Sequence, residues 1–296
     1  MRDKRMAKKK RTGAIADFDL IQKEIKKDAR ADSVTELFRS FGKANLAYLN
    51  QLERKPLTTS ISNKQYFSFI NAKTKSRAVN QGSFQDGALM DKFLNAVRSK
   101  QIANELSSEE ITRACYTLAV SLACTVDLEN PGDKQTPGTY FQYLVTHLLT
   151  REFDCAPSER VRVKIGKDEV PLTMDLVLDL GNGKPKYHIA IKNSSRERAS
   201  EVWTHQRILD TAFQSKKYIG IFAGLAESKL DHRTNDVTEI CVPDQWRAYQ
   251  HFVSRISAIY YLDPPTAYLN LNHKEPPMIV KPFGDFFFDD WPRNGS

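Results

Sequence analysis

An acid and an amine on either side of a tight turn, Asp175 and Lys192, are the residues of this chain best suited to chemistry. Residues 172–180 and 187–191 alternate apolar and polar side chains, and Leu180-Gly-Asn-Gly-Lys184 lies between them. An Asn-Gly centre accepts positive φ at both positions, so the two segments should pair as an antiparallel hairpin. With Asn182 and Gly183 at the turn centre, Gly181 faces Lys184, paired residue numbers sum to 365, and Asp175 faces Ala190. One face then collects Leu172, Met174, Leu176, Leu178, Tyr187, Ile189 and Ile191; the other collects Thr173, Asp175, Val177, Asp179, Lys186, His188, Ala190 and Lys192. A one-residue slip would mix polar and apolar residues on both faces, which supports this register. Asp175 and Lys192 become diagonal neighbours on the polar face, with backbones about 7–8 Å apart. That separation leaves room for a metal ion and its water. Taken alone, the pair is also what a solvated cross-strand ion pair looks like, worth roughly a few tenths of a kcal/mol.

Magnesium is commonly held by one or two carboxylates together with water and phosphate oxygens, so Asp175 needs further oxygen ligands from the flanking helices. Zinc is a poor fit. The cysteines Cys115, Cys124, Cys155 and Cys241 lack paired spacing, and the 6 histidines contain no HxxxH or HExxH pair. Lys and Arg number 44 against 36 Asp and Glu, a formal charge of +8, and this basic balance points to a polyanionic partner. Hydrophobic residues make up 41% of the 296, enough for a buried core. No run approaches the roughly 18–20 consecutive apolar residues of a membrane span, and no secretory leader is visible, so a cytoplasmic protein is expected.

The elements that must position the hairpin follow from periodicity. Residues 1–13, dense in Lys and Arg, should form a disordered basic tail, either solubilising or touching phosphates. Residues 14–130 read as a mainly helical region, with two helices broken near 28–33, one over 86–106 and one over 108–126 started by a Ser107–Glu110 cap. Within it, residues 53–83 mix Ser, Thr and Pro with lysines and aromatic residues. Tyr66, Lys73 and Arg77 are candidate DNA contacts there, and an ordinary surface loop with a short strand has the same composition. The turn formers Asn130-Pro-Gly-Asp-Lys-Gln-Thr-Pro137 mark a boundary. Residues 131–296 then run helix, three strands, helix, strand, which predicts an α/β (α+β) architecture with a mixed sheet flanked by helices.

Thr-Met-Asp175, Ala-Ile-Lys192 and a preceding helix that begins Gly138-Thr-Tyr-Phe-Gln142 resemble the core of the PD-(D/E)XK nucleases, with Asp175 and Lys192 as its acid and lysine. Ala190 stands where many members carry Asp or Glu. Lys192-Asn-Ser-Ser-Arg196-Glu197-Arg198, followed by a helix, is similar to the signature of type II restriction endonucleases that cut sites built on CCGG, CCNGG or CCWGG. The resemblance covers about residues 136–224. It implies a Mg²⁺-dependent, sequence-specific nuclease acting on palindromic double-stranded DNA and leaving 5′ overhangs, a homodimer, and a cognate DNA methyltransferase. It also implies a third metal-site acid moved onto the helix after Lys192. That acid is expected about thirteen positions past the lysine, at His205 with Gln206 adjacent, while the nearby carboxylate is Glu201; Glu201 is the preferred ligand and His205 its rival. The implied metal set is Asp175, the Ile191 carbonyl and Glu201, and Gln142 takes a position where relatives commonly carry Glu.

Chemistry supports the implied readout by Arg196, Glu197 and Arg198. Arginine donates two bonds to guanine O6 and N7, and a carboxylate accepts from cytosine N4. A charged first turn of a helix would explain Glu197 equally, but two arginines at a helix start oppose its dipole. Two other readings stand beside this one: a structure- or damage-directed nuclease of the same fold, and a DNA-binding protein without catalysis.

Overall fold

The computed structural model describes residues 18–72, 74–181, 183–195, 198–213 and 217–291. The expected basic tail, Lys73, Arg196 and Glu197 lie outside the described residues.

The N-terminal elements are α1 (Phe18–Lys27), α2 (Asp32–Leu49), β1 (Glu53–Thr59), β2 (Tyr66–Asn71), β3 (Thr74–Lys75), β4 (Val79–Asn80), α3 (Gly87–Ser99), α4 (Ile102–Glu105) and α5 (Ser108–Glu129). There follow α6 (Thr136–Phe153), β5 (Pro157–Ile165), β6 (Asp168–Leu178), β7 (Lys186–Lys192), α7 (Ala199–Ala212), β8 (Tyr218–Ala226), β9 (Ser228–Leu230) and β10 (Asp236–Glu239). The chain closes with α8 (Pro243–Phe252), β11 (Ala258–Asp263), α9 (Thr266–Leu269) and β12 (Val280–Pro282).

Helices form where the apolar spacing places them, except that the single helix expected over 86–106 is two, α3 and α4, divided at Lys100, whose φ of 56° is left-handed. α5 begins with the expected reciprocal cap, the Ser107 hydroxyl accepting from the Glu110 backbone and the Glu110 carboxylate from the Ser107 backbone. Although α5 is long and apolar enough to cross a membrane, 89% of its apolar window is buried inside the protein. A helix that is apolar on all sides suits the centre of a core.

The central sheet has the order β12-β11-β8-β7-β6-β5. β5, β6 and β7 pair antiparallel; β7, β8, β11 and β12 pair parallel. Alternate residues sort to its two faces. Ile189, Ile191, Ile221, Ala223, Tyr260 and Leu262 join the main core with residues of α5 and α6. Ala190, Phe222, Ile259 and Tyr261 meet Val202 and Trp203 of α7 and Trp246 of α8. The mixed sheet flanked by helices is the architecture expected for residues 131–296.

Residues 53–83 are not an irregular loop. β1 pairs antiparallel with β2, β2 pairs with β3 and β4, and β1 runs parallel to β10, with Thr58 opposite Asp236 and Thr59 opposite Val237. This second sheet buries the aromatic residues that seemed available for base stacking: Tyr66 is 2% exposed, Phe67 5% and Phe69 0%. Tyr66 packs with Ala78 and Val237, which removes it from a DNA-facing role. Arg77 is held by α5 instead. Its Nε and Nη2 donate to the two carboxylate oxygens of Asp127 at 2.8 and 2.9 Å, so its charge is matched within the protein. The β1–β10 pairing and a core running from Phe18 to Phe287 join the regions before and after residue 130.

Candidate active site

The hairpin register is the one the sequence predicts. Leu176 pairs with Ile189, Val177 with His188 and Leu178 with Tyr187, each pair summing to 365. Gly181 and Gly183 have φ of 68° and 72°, and Lys184 N donates to Gly181 O at 3.0 Å across the turn.

Two details depart from the expected hairpin. The β5–β6 ladder shifts register between Ser158 and Arg160, opposite residues 173–177, and the irregularity breaks the strict alternation of β6. Met174, predicted on the face of Leu176, therefore packs with Val177, Val161 and Val163, while Leu176 enters the main core. Such irregularities re-aim side chains and are frequent beside functional sites. In addition, the face predicted to be polar is covered by α7, so His188 and Ala190 are buried.

At this irregularity the β6–β7 ladder stops and the backbone edge is used by a side chain. Ile191 N donates to Asp175 Oδ2 at 2.9 Å, and Gln142 Nε2 of α6 donates to the Asp175 carbonyl at 2.9 Å. Lys192 Nζ lies 2.9 Å from Asp175 Oδ2 and 3.2 Å from Glu201 Oε1, so one ammonium joins an acid on β6 to an acid on α7. In place of the expected gap, acid and amine touch directly. Arg198 Nε stands 4.0 Å from Glu201 Oε2 at the mouth, 67% exposed. Lys192, 9% exposed, is the deepest of these charges. Gln142, Asp175, Lys192 and Arg198 open on a cleft of about 470 Å³, also lined by Lys134, Gly138, Asn193 and Ser194.

The three candidates for the helix acid separate clearly. Glu201 contacts Lys192. Gln206 is buried: its Nε2 donates to Tyr218 O and Asp210 Oδ1, and its Oε1 lies 3.2 Å from His188 Nδ1. That amide is committed to the core. His205 stacks obliquely near His188, ring centroids 6.1 Å apart, one turn beyond Glu201.

Among the described residues no three His, Cys, Asp or Glu side chains gather closely enough to hold a metal alone. A pair of carboxylates bridged by one ammonium, with the Ile191 carbonyl on the same strand edge as its N–H, nevertheless fits Mg²⁺, which takes its remaining ligands from water and phosphate.

Two buried histidines carry a stability prediction. Burial lowers His188 and His147 from an ordinary value of 6.5 to about 4. Between those values the unfolded chain binds more protons than the folded one, so stability rises with pH. It should be complete above pH 6.5 and fall on acidification towards pH 4, by on the order of 3 kcal/mol per histidine. Urea unfolding between pH 4 and 7 measures this, and replacing His188 should flatten the slope.

Sequence reasoning missed Lys134, Asn193, Ser194 and the buried Glu227 behind them. Turn composition hides the first, and nothing local marks Glu227, which meets this loop only through the parallel β7–β8 pairing.

No protein-family model matches the chain, and no curated relative matches it. Among solved structures, the Type IIP restriction endonuclease Kpn2I superposes with a TM-score of 0.77 over 93% of this chain and 95% of that chain, at 23% identity. The chain has a restriction-endonuclease fold. A complex of the restriction endonuclease PspGI with substrate DNA aligns over 68% of this chain and 84% of that one, at 14% identity and a TM-score of 0.41, too low to bear on the fold.

Proposed function

We propose that this protein is a type II restriction endonuclease that cleaves double-stranded DNA with Mg²⁺ at a palindromic site containing CCGG or CCNGG, leaving 5′ overhangs. The observation that carries the reading is the Asp175–Lys192–Glu201 contact, set where the β6–β7 ladder ends within a restriction-endonuclease fold. Asp175, the Ile191 carbonyl and Glu201 would hold the ion. When bound, Mg²⁺ supplies a Lewis acid for a non-bridging phosphate oxygen and lowers the pKa of water.

The residues of the chain supply the rest. Lys192 has three N–H donors: one donates to Glu201 at 3.2 Å, and a second lies on the side of Asp175, its ion-pair partner at 2.9 Å. The third is left for the attacking water or for charge growing on the phosphate. Gln142 differs from the glutamate of relatives in a useful way: its amide donates to the Asp175 carbonyl, which a carboxylate could not do, and so fixes the strand that carries Asp175. Arg196, Glu197 and Arg198 follow Lys192 in sequence and have the side chains to read C·G pairs; of the three, Arg198 is described, exposed and lining the cleft. Equal reading of both half-sites calls for a two-fold homodimer, and host DNA must then be protected by a cognate methyltransferase. The host compartment would be bacterial or archaeal cytoplasm.

Incubating supercoiled plasmid with the protein should give linear fragments with Mg²⁺ and none after chelation. A folded protein that leaves plasmid intact with Mg²⁺ would contradict the proposal. Arg196→Ala or Glu197→Ala should weaken binding to the cognate duplex by roughly 1–3 kcal/mol per lost base contact and spare non-specific binding. Competition titrations of cognate against scrambled duplex measure this; an equal loss on both duplexes would refute base readout.

A further inference from the structure

Directly after β8 lies Glu227, 1% exposed, with no described cation within ion-pair distance. Its Oε1 accepts from Ser195 N at 2.6 Å and from the Tyr261 hydroxyl at 2.7 Å, and its Oε2 accepts from the Ser194 hydroxyl at 2.6 Å. A buried carboxylate is costly, and the three hydrogen-bond donors named here offset part of that cost. Two of the three donors belong to the connection between β7, which carries Lys192, and α7, which carries Glu201.

From Ser195 the contacts run on to the candidate site. Ser195 O accepts from Arg198 N at 3.2 Å, Arg198 O accepts from Glu201 N at 3.1 Å, and the Glu201 carboxylate meets Lys192 Nζ at 3.2 Å. The connection is pinned elsewhere too: Ala226 N donates to Asn193 O at 3.1 Å, and the Ser195 hydroxyl lies 3.3 Å from that of Tyr268.

We infer that Glu227 is a positioning residue that fixes Ser194 and Ser195, just after β7, so that Glu201 of α7 meets Lys192 beside Asp175. Outer partners of this kind orient the groups that touch metal and substrate, and losing one typically costs about 10- to 100-fold in metal affinity or activity. The inference rests on the nuclease reading above. A neutral amide in place of Glu227 weakens its bonds to the connection, whereas removing the Tyr261 hydroxyl takes away the one bond directed to the sheet.

The test compares Glu227→Gln and Tyr261→Phe with the parent protein. Glu227→Gln should raise the half-saturating Mg²⁺ concentration for single-turnover cleavage about 10- to 100-fold. It should also lower hydrogen-exchange protection at the Ser195 and Arg198 amides about 10-fold relative to the sheet amides. Tyr261→Phe, which keeps the bonds to Ser194 and Ser195, should shift both readings far less than Glu227→Gln does. Glu227→Gln behaving like the parent, or both variants shifting both readings alike, would overturn the inference. If the parent itself fails to cut DNA, the nuclease reading falls, and the exchange comparison still decides whether Glu227 holds the connection.

Discussion

Replacing Asp175 with alanine should reduce Mg²⁺-supported DNA cleavage by at least about 10³-fold while leaving the fold and duplex binding in place. Asp175 is 24% exposed, so its removal opens no sealed cavity, and the Ile191 N–H it satisfies can turn to water from the cleft. What is lost is the charge that would hold the ion and the partner that fixes Lys192. Asp175→Asn is the sharper variant, because it keeps an acceptor for Ile191 N and removes only the charge. It should be as inactive as the alanine variant. Lys192→Ala should lose cleavage to a similar extent. If Asp175→Ala and Lys192→Ala both cut DNA at the parent rate, the Asp175–Lys192 contact is a structural ion pair with no part in cleavage.

Lys64→Met should destabilise the protein by about 3–5 kcal/mol, far more than the loss of a surface pair. Lys64 Nζ lies 2.7 Å from both Glu239 Oε1 and Asp263 Oδ1 and donates to Pro264 O at 3.0 Å. Side-chain exposures of 13%, 11% and 3% leave the cluster largely shielded from water. Lys64 precedes β2, Glu239 ends β10 and Asp263 ends β11, so the ammonium ties the smaller sheet to the central one. Without it, Asp263 keeps Asn80 Nδ2 at 2.9 Å and no described cation. The double variant Lys64→Met/Asp263→Asn should recover part of the loss, since the stranded charge goes with it. Urea midpoints of the single and double variants measure both effects, and a single-variant loss below 1 kcal/mol would contradict the buried assignment.

Local signals and long-range ones fared differently. The Ser107–Glu110 cap and the hairpin register depend on residues within a few positions of one another or on strict alternation, and both were legible. Residues 53–83 read as an irregular basic and aromatic segment because β1 pairs in parallel with β10, about 180 positions away, and composition carries no trace of that pairing. The shift of β6 against β5 is hidden for a similar reason. Alternation predicts a straight strand, and only the mismatch with a neighbour shows that residues 173–177 are irregular. In the site, Asp175 and Lys192 could be named in advance from the hairpin, and Glu201 from the family resemblance as the carboxylate near the position that spacing gave to His205; the three side chains lie in contact. Glu227 could not, since a lone glutamate after an apolar strand looks like a surface residue until the parallel pairing of β7 and β8 brings it under the loop.

Sequencing the ends produced from a plasmid of known sequence, with the protein and Mg²⁺, tests the central claim most directly. Discrete ends at one CC/GG-containing palindrome, on both strands and offset to leave 5′ overhangs, are the predicted result. Ends scattered without regard to sequence, or a folded protein that yields no ends at all, would contradict it.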